Sequence, residues 1–543
     1  MNEEIAEYYE ELYNLCAVEQ EQPLARRYRQ LREALERVMR QQMMGTGLQA
    51  TDLAARINYV ATQFALDGRE QNQLHTFRLT SNDILNHRKE PSEQEFLRDL
   101  RAVAYAYRKI FHEDIPPKLY TLLPKQETTP AVKREKETRI RRIRVCFDYA
   151  DESYLYVRPI DVLEEEPVKV NYNKPGVNEE FKDTVDELWR YAQLNLLDVT
   201  VDDNGVYTPS FIVLEPDYLL DISSLAECYK DYGSHPANYF LSRLVPIENA
   251  RPLLLGNIAN LFLDEWIYAG EKEPDYTECM KKAFRQYPIE LAACEELRNP
   301  QKEKEFAQDC RMHFEHIRET VQKTFLQPGY NLDKNDAVLE PSYICEALGI
   351  QGRLDYMQRD MSSFIEMKSG KADEYAMQGR LEPKENNRVQ MLLYMAVLEY
   401  SMGQERRSMH PYLLYTRYPL LYPARASWAQ VRRIINLRNC IVASEYGVQL
   451  HNHPSFTQRL LAQINPSVLN QKGLQGRFWE QYLKPSISRF GERMELLTPL
   501  ERTYFYTLYN FITKELYTSK SGDVNCESRT GAVSYTHLRA HET

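Results

Sequence analysis

No stretch of the 543 residues approaches the ~20 consecutive apolar positions that a membrane-spanning helix needs, so no helical span is expected. The opening Met1-Asn2-Glu3-Glu4 is acidic and has no apolar stretch of the secretory kind, so no signal peptide is expected either. Nine cysteines occur (positions 16, 146, 228, 279, 294, 310, 345, 440 and 526), but no two are spaced CxxC. That excludes the usual closely spaced zinc patterns and points to free thiols in a reducing cytoplasm. The phosphate-cradling pattern GxxxxGK[ST] is also missing. Its nearest approach, Lys368-Ser369-Gly370-Lys371, lacks the first glycine and the closing hydroxyl residue, so no ATP site is expected. A formal net charge of −11 excludes nucleic-acid binding through overall charge and leaves only a local basic channel.

What is present is ordinary globular material, long enough for about three domains. Residues 7–48 and 93–111 place apolar residues at three- and four-residue spacing among Arg, Glu and Gln, so 1–115 reads as a helical arm, a packing or partner surface. Pro116, Pro117, Pro124 and Pro130 mark a linker. Lys133, Arg134, Lys136, Arg139, Arg141, Arg142 and Arg144 then lead into two alternating runs, 144–149 and 153–158, around Ala150-Asp151-Glu152, a hairpin pattern. With a further strand at 206–214, residues 116–215 read as a linker and a small β-rich, barrel-like module. Its basic run either grips a nucleic-acid strand by its phosphates or is a solvated face.

Residues 216–445 read as a small mixed sheet flanked by helices. Helices are expected over 253–268, 276–284, 303–325, 386–402 and 428–444, and strands over 339–355, 362–367 and 411–418. Residues 446–532 read as helical, most strongly over 499–516. Residues 533–543 match the translation of a transposase-type sequencing-library adapter, so they are set aside, and the chain is expected to be an N-terminal fragment of a longer product.

The residues that carry chemistry lie between 352 and 394: Gly352-Arg353-Leu354-Asp355, then Glu366-Met367-Lys368, then Gln390 and Tyr394. The ten-residue gap suits a hairpin that returns Glu366 alongside Asp355. Strand alternation then turns Glu366 and Lys368 to one face and Met367 to the other. Two close carboxylates repel unless one is protonated or a cation intervenes. A hard divalent ion wants oxygen ligands and lowers the pKa of a bound water. Lys368 would position or deprotonate that water, with its own pKa lowered by the ion. Gln390 and Tyr394 are i, i+4 on one helix face, opposite a buried stripe of Val389, Leu392, Leu393, Ala396, Val397 and Tyr400. Gln390 would bond a metal water or a phosphate; Tyr394 would stack on a base or orient the lysine. The plainer reading is a hairpin with a Glu366–Lys368 surface ion pair.

This ordered set resembles the PD-(D/E)XK nucleases, in particular their RecB-like exonuclease branch, which carries GxxD, then (D/E)xK often followed by a small residue and Gly (here Ser369-Gly370), then QxxxY. Residues 213–225 look like the opening strand and turn of the nuclease domain found in flap-processing replication nuclease–helicases. Leu348-Gly349-Ile350-Gln351-Gly352-Arg353-Leu354-Asp355 looks like its GxxGxxD segment, and the resemblance covers about 210–445. It implies a PD-(D/E)XK, restriction-endonuclease-like core with Asp355, Glu366, Lys368, Gln390 and Tyr394 as catalytic residues. It also implies Mg²⁺ or Mn²⁺ held by Asp355, Glu366 and the backbone carbonyl of Met367.

Two departures stand out. Where the branch has a metal-binding His in a GxxxH helix, this chain has Gly256 followed by Asn260, with Asp264 one turn further on. Asn260 is either a ligand through its amide oxygen or part of the polar outer face of a helix packed by Leu255, Ile258, Leu261 and Phe262. Where many relatives hold an iron–sulfur cluster, only Cys440 follows QxxxY within the domain and Cys228 has no partners, so no cluster is expected. The function expected is cleavage of single-stranded DNA ends or flaps by a cytoplasmic bacterial enzyme, with a helicase domain as partner in the longer product. A weak or inactive nuclease-fold module that binds DNA and scaffolds a repair complex is the rival. A helical interaction protein unrelated to DNA is the third reading.

Overall fold

The computed structural model describes residues 3–17, 22–46, 48, 50, 52–125, 138–160, 166–245, 251–270, 272–330, 332–375, 380–424 and 427–521. Pro130, Lys133, Arg134, Lys136 and 533–543 lie outside the described residues. The chain is mixed α/β and divides into two compact units, Met1–Tyr218 with Val442–Phe456 and Thr507–Thr543, and Leu219–Ile441 with Thr457–Tyr506. The expected C-terminal helical segment 446–532 is therefore shared between the units rather than standing apart.

In the first unit five helices come first: α1 (Glu3–Ala17), α2 (Leu24–Met43), α3 (Leu53–Gln63), α4 (Gly68–Leu85) and α5 (Glu93–Phe111). Their starts are written in capping residues. Asp52 and Ser92 accept from backbone N–H groups three residues on, and Asp67 with Glu70 forms a reciprocal capping box. In α5 the buried positions Phe96, Leu100, Val103, Tyr107 and Ile110 repeat at helical spacing and form one stripe. The proline-rich stretch does not begin as a linker. It forms a short helix, α6 (Pro117–Tyr120), whose Leu119 is buried in the helical core. Nor are the helices a separate arm, because the same core takes in Cys146 and Tyr191 from the β-rich module.

That module contains β1 (Arg139–Ala150), β2 (Tyr154–Pro159), β3 (Val168–Asn171), a short α7 (Lys182–Asp186), β4 (Gln193–Val201), β5 (Tyr207–Thr208) and β6 (Phe211–Leu214). Because β1 pairs with both β2 and β4, the order β1-β2-β3-β5-β4 closes on itself. Strands β3 and β5 are parallel, and β6 extends from β4. This is the strand order of an OB-type barrel, with α7 between β3 and β4. The expected strand 206–214 is broken at Pro209-Ser210, where proline removes a ladder donor. Strand β4 is buried on both faces over most of its length, polar Gln193 and Asn195 included, so polarity does not mark its buried side.

In the second unit the elements that position the site are β7 (Leu220–Asp221), α8 (Arg251–Ile267), α9 (Pro300–Glu319), β8 (Ala337–Leu339), β9 (Ser342–Cys345), β10 (Ile350–Arg353), β11 (Tyr356–Gln358), β12 (Ser363–Lys368), α10 (Glu385–Met402), β13 (His410–Tyr415), β14 (Leu420–Pro423) and α11 (Trp428–His451). The order β8-β11-β12-β13-β14 makes a five-stranded sheet, antiparallel except for β12 with β13. Ile365, Met367, Tyr412 and Leu414 leave one face of that sheet and pack with α8 and α9. Strand alternation sends Phe364, Glu366 and Lys368 to the other face, against α10. A smaller sheet, β9-β10-β7, carries the two motif glycines.

Candidate active site

The expected strand 339–355 is three short strands in two sheets. Antiparallel β9 and β10 are joined by a four-residue loop in which Gly349 sits at φ +65°. Strand β10 ends at Arg353, and Asp355 lies in the bend before β11 rather than closing a strand. Pairing of Tyr356 with Ile365 returns the chain as a hairpin. It brings Asp355 beside β12, where its Oδ2 accepts from the Met367 N–H at 2.6 Å. The hairpin expected from the ten-residue gap is thus what juxtaposes the two motifs.

Glu366 is 3% exposed. Its Oε1 accepts from Lys368 Nζ at 2.8 Å and from Gln390 Nε2 at 2.6 Å, and Gln390 Oε1 accepts from Lys368 Nζ at 2.8 Å. The three side chains form a closed triangle, and Glu366 Oε2 is left buried without a hydrogen bond. This is not a surface ion pair, since only Lys368 reaches solvent, at 25% of its side chain. Burial, and then the Asp355 charge, push the Glu366 carboxyl up to about 8. Burial also raises Asp355. The electrostatics follow from the charge count, because one ammonium stands against two buried carboxylates and a proton must stay with the pair. Burial pulls Lys368 down, but Glu366 and then Asp355 outweigh it and hold the ammonium above the ordinary lysine range. The lowered lysine expected from the motif is not what these carboxylates produce by themselves.

The backbone adds a third oxygen. Residues i and i+2 of a strand aim their N–H and C=O groups to the same side. Ile365 pairs with Tyr356 on β11, whereas Lys368 C=O accepts from Thr416 N–H on the β13 side. The Met367 carbonyl therefore points past the end of β11, beside Asp355, where β11 supplies no residue opposite it. Among the described residues no group of three or more His, Cys, Asp and Glu side chains is arranged to hold a metal. The fit thus rests on two carboxylates, one carbonyl and the orphaned Glu366 Oε2. On α8, a Cβ added to Gly256 would stand 3.3 Å from Ser369 Oγ. Asp264, two turns on, feels the charge of Asp355. Asn260 lies between them on the same helical face. Burial, then Glu340 and Asp355, push Asp264 up to about 7, so a third acidic group borders the site beside the Asn260 amide.

Tyr394 departs in part from expectation. It is 1% exposed, so it does not stack on a base; its hydroxyl donates to the Arg353 carbonyl and also meets Gln390, the amide that holds Lys368. The i, i+4 face is not set apart by exposure either, because α10 is buried on all sides from Val389 to Leu398. Tyr394 is a positioning residue that pins the end of β10 and so fixes where Asp355 leaves it. Gly352 makes room for this ring, since a Cβ there would lie 3.1 Å from Tyr394 Oη. Replacing Tyr394 by Phe keeps the volume and removes one buried hydrogen bond, at a cost of ~1–2 kcal/mol. The expected result is a melting temperature lower by a few degrees. An unchanged melting temperature would remove the positioning role.

Three further groups have no sequence signal. Glu227 accepts from Lys230 Nζ at 2.7 Å and from Asn386 Nδ2 at 3.1 Å, and it acts on the Lys368 charge from a segment 141 residues earlier. Tyr415, level with Lys368 in the parallel ladder, accepts from Asn387 Nδ2 at 2.7 Å and from the Lys384 N–H at 3.0 Å, which anchors the start of α10. Arg438 of α11 is wholly buried, and its Nε donates to the Gly349 carbonyl at 3.2 Å. Comparison with known proteins finds no family model and no curated protein that matches this chain.

Proposed function

We propose that this chain is a divalent-metal-dependent DNA nuclease acting on single-stranded ends or flaps, the nuclease part of a cytoplasmic bacterial replication or repair nuclease–helicase with a PD-(D/E)XK core. The observation that carries the reading is the uncompensated pair of carboxylates. Asp355 and Glu366 meet at a hairpin with one ammonium between them, and Glu366 Oε2 has no hydrogen-bond partner. Asp355, Glu366 and the Met367 carbonyl would hold Mg²⁺ or Mn²⁺, with Asn260 as a further candidate. The ion, when bound, supplies an activated water and offsets charge developing on the phosphate.

The protein's own groups do the rest. Gln390 bonds both Glu366 and Lys368 and keeps their orientation. Without the ion, Glu366 and then Asp355 hold the Lys368 ammonium above the ordinary lysine range; with those carboxylates on the ion, Lys368 would position or deprotonate the attacking water or hydrogen-bond a phosphoryl oxygen. Among the described residues no helix is long and apolar enough to cross a membrane, and the described cysteines are free thiols, in keeping with a cytoplasmic setting. Incubation with 5′-flap or single-stranded DNA and Mn²⁺ should give cleavage, reduced about 10²-fold or more in Lys368→Ala and Glu366→Ala. Absence of product, or rates in both variants unchanged from the native protein, would sink the proposal. The reading as a DNA-binding scaffold without turnover draws on Asn260 standing where an imidazole was expected. It requires that a calorimetric titration with Mn²⁺ show no uptake.

A further inference from the structure

The outer face of the barrel presents an aromatic surface that the cleavage site does not use. Tyr149 of β1 is 51% exposed, and its ring stacks on Tyr156 of β2 with centroids 4.2 Å apart and planes 12° from parallel. The ladder sets Tyr149 opposite Tyr156, and Tyr156 opposite Lys169 of β3. Lys169 Nζ lies 5.7 Å from the Tyr154 ring and 6.0 Å from that of Tyr156. Leu155 and Val157 turn inward, so Tyr154, Tyr156 and Arg158 share the outward face of β2. At the Arg158 end is a cavity of about 220 Å³, lined by Arg158, Arg190, Asn58 and Gln71. There Asp148 is 3.9 Å from Arg158 and 2.8 Å from Arg190. Asp151, at the turn between β1 and β2, is committed there through the Ser153 and Tyr154 N–H groups and the Tyr156 hydroxyl.

We propose that this face is a stacking platform for a single strand of nucleic acid, with bases on the Tyr149–Tyr156 pair and phosphates at Lys169 and towards Arg158 and Arg190. Exposed rings flanked by cations suit a ligand with flat apolar bases and a regular negative charge. A duplex hides its base faces, so the platform discriminates against it. Barrels of this type host many unrelated ligands, and the side chains rather than the topology make the case. Stacking on this face does not depend on cleavage at Asp355 and Glu366.

The test is fluorescence anisotropy of labelled dT15 and of a 15-base-pair duplex with the full chain in EDTA, where no metal-dependent cleavage occurs. Tyr149→Ala should weaken dT15 binding about ten-fold, while Tyr149→Phe restores it. Lys169→Ala should weaken it and lower the slope of log K against log salt by about 0.7. Melting curves separate this from loss of the cross-strand ring pair as a mere hairpin support. A weakened Tyr149→Ala with an unchanged melting temperature supports the platform. Unchanged dT15 affinity in Tyr149→Ala, a Tyr149→Phe variant as weak as Tyr149→Ala, equal affinity for the duplex, or binding lost in Lys368→Ala but kept in Tyr149→Ala would overturn it. Only the last of these would leave the cleavage site as the place where DNA binds.

Discussion

Glu366 is expected to cost the metal-free protein stability as the pH rises from about 5 to about 8, and Glu366→Gln is expected to remove that part of the slope. Burial and the Asp355 charge hold the Glu366 carboxyl at about 8 in the fold, against an ordinary carboxylate value in the unfolded chain. Between those two values the folded state binds the extra proton. The Glu366 contribution to stability therefore falls with rising pH, by ~1.4 kcal/mol per pH unit at its steepest. Asp355, raised for the same reason, adds to the fall with the same sign. Lys368 does not oppose it in this window. Its raised pKa contributes stability that is fully present below the ordinary lysine value and is lost only at higher pH.

On the proposed reading a divalent ion would take the place of the proton. Mn²⁺ should stabilise the protein strongly at pH 8 and weakly at pH 6, with apparent affinity falling about ten-fold per pH unit below the Glu366 value. Melting curves from pH 5.5 to 8.5, with and without Mn²⁺, decide the matter. Parallel pH profiles for the native protein and Glu366→Gln would mean that the carboxylate pair carries no trapped proton. The reading of the site as a cation's seat would lose its main support.

The parts of this arrangement that can be read from sequence are those whose partners lie nearby along the chain. The hairpin from Asp355 to Glu366, the opposite directions of Glu366 and Met367, and the helix over Gln390 and Tyr394 follow from local spacing. Other features depend on distant segments and leave no periodic trace. Arg438 reaches Gly349 across 89 residues, and Glu227 acts on Lys368 from well upstream. The role of Tyr394 is hidden because a buried tyrosine and a half-exposed one look alike in a helical pattern. Only the position of Arg353 O reveals what its hydroxyl bonds. In the barrel, β1 and β2 alternate and are legible, while β4 is buried on both faces and is not. The short strands β9 and β10 belong to a separate sheet, and nothing local distinguishes them from one continuous strand.

Gly349→Ala should be the most damaging single-methyl addition in the site segment. The residue sits at φ +65°, a left-handed conformation that costs an L side chain ~1–2 kcal/mol. A Cβ built there would stand 2.3 Å from Arg438 Nη2 and 2.6 Å from its Cζ. The guanidinium cannot swing clear, because Arg438 is wholly buried and its Nε and Nη1 donate to Gly349 O and Asn439 Oδ1, each at 3.2 Å. The Gly349 carbonyl also accepts from the Leu220 N–H at 3.1 Å, so moving the loop would strip β7 from β10. Displacing a buried charge from its hydrogen bonds costs ~3–5 kcal/mol, a large part of a typical folding free energy. Gly370→Ala is the control, since a methyl placed there would meet nothing within 4 Å and its φ is unexceptional. Urea denaturation should show Gly349→Ala losing several kcal/mol and Gly370→Ala almost none. If the two variants unfold at the same midpoint, Arg438 does not hold this loop, and the glycine of the first motif has some other reason to be there.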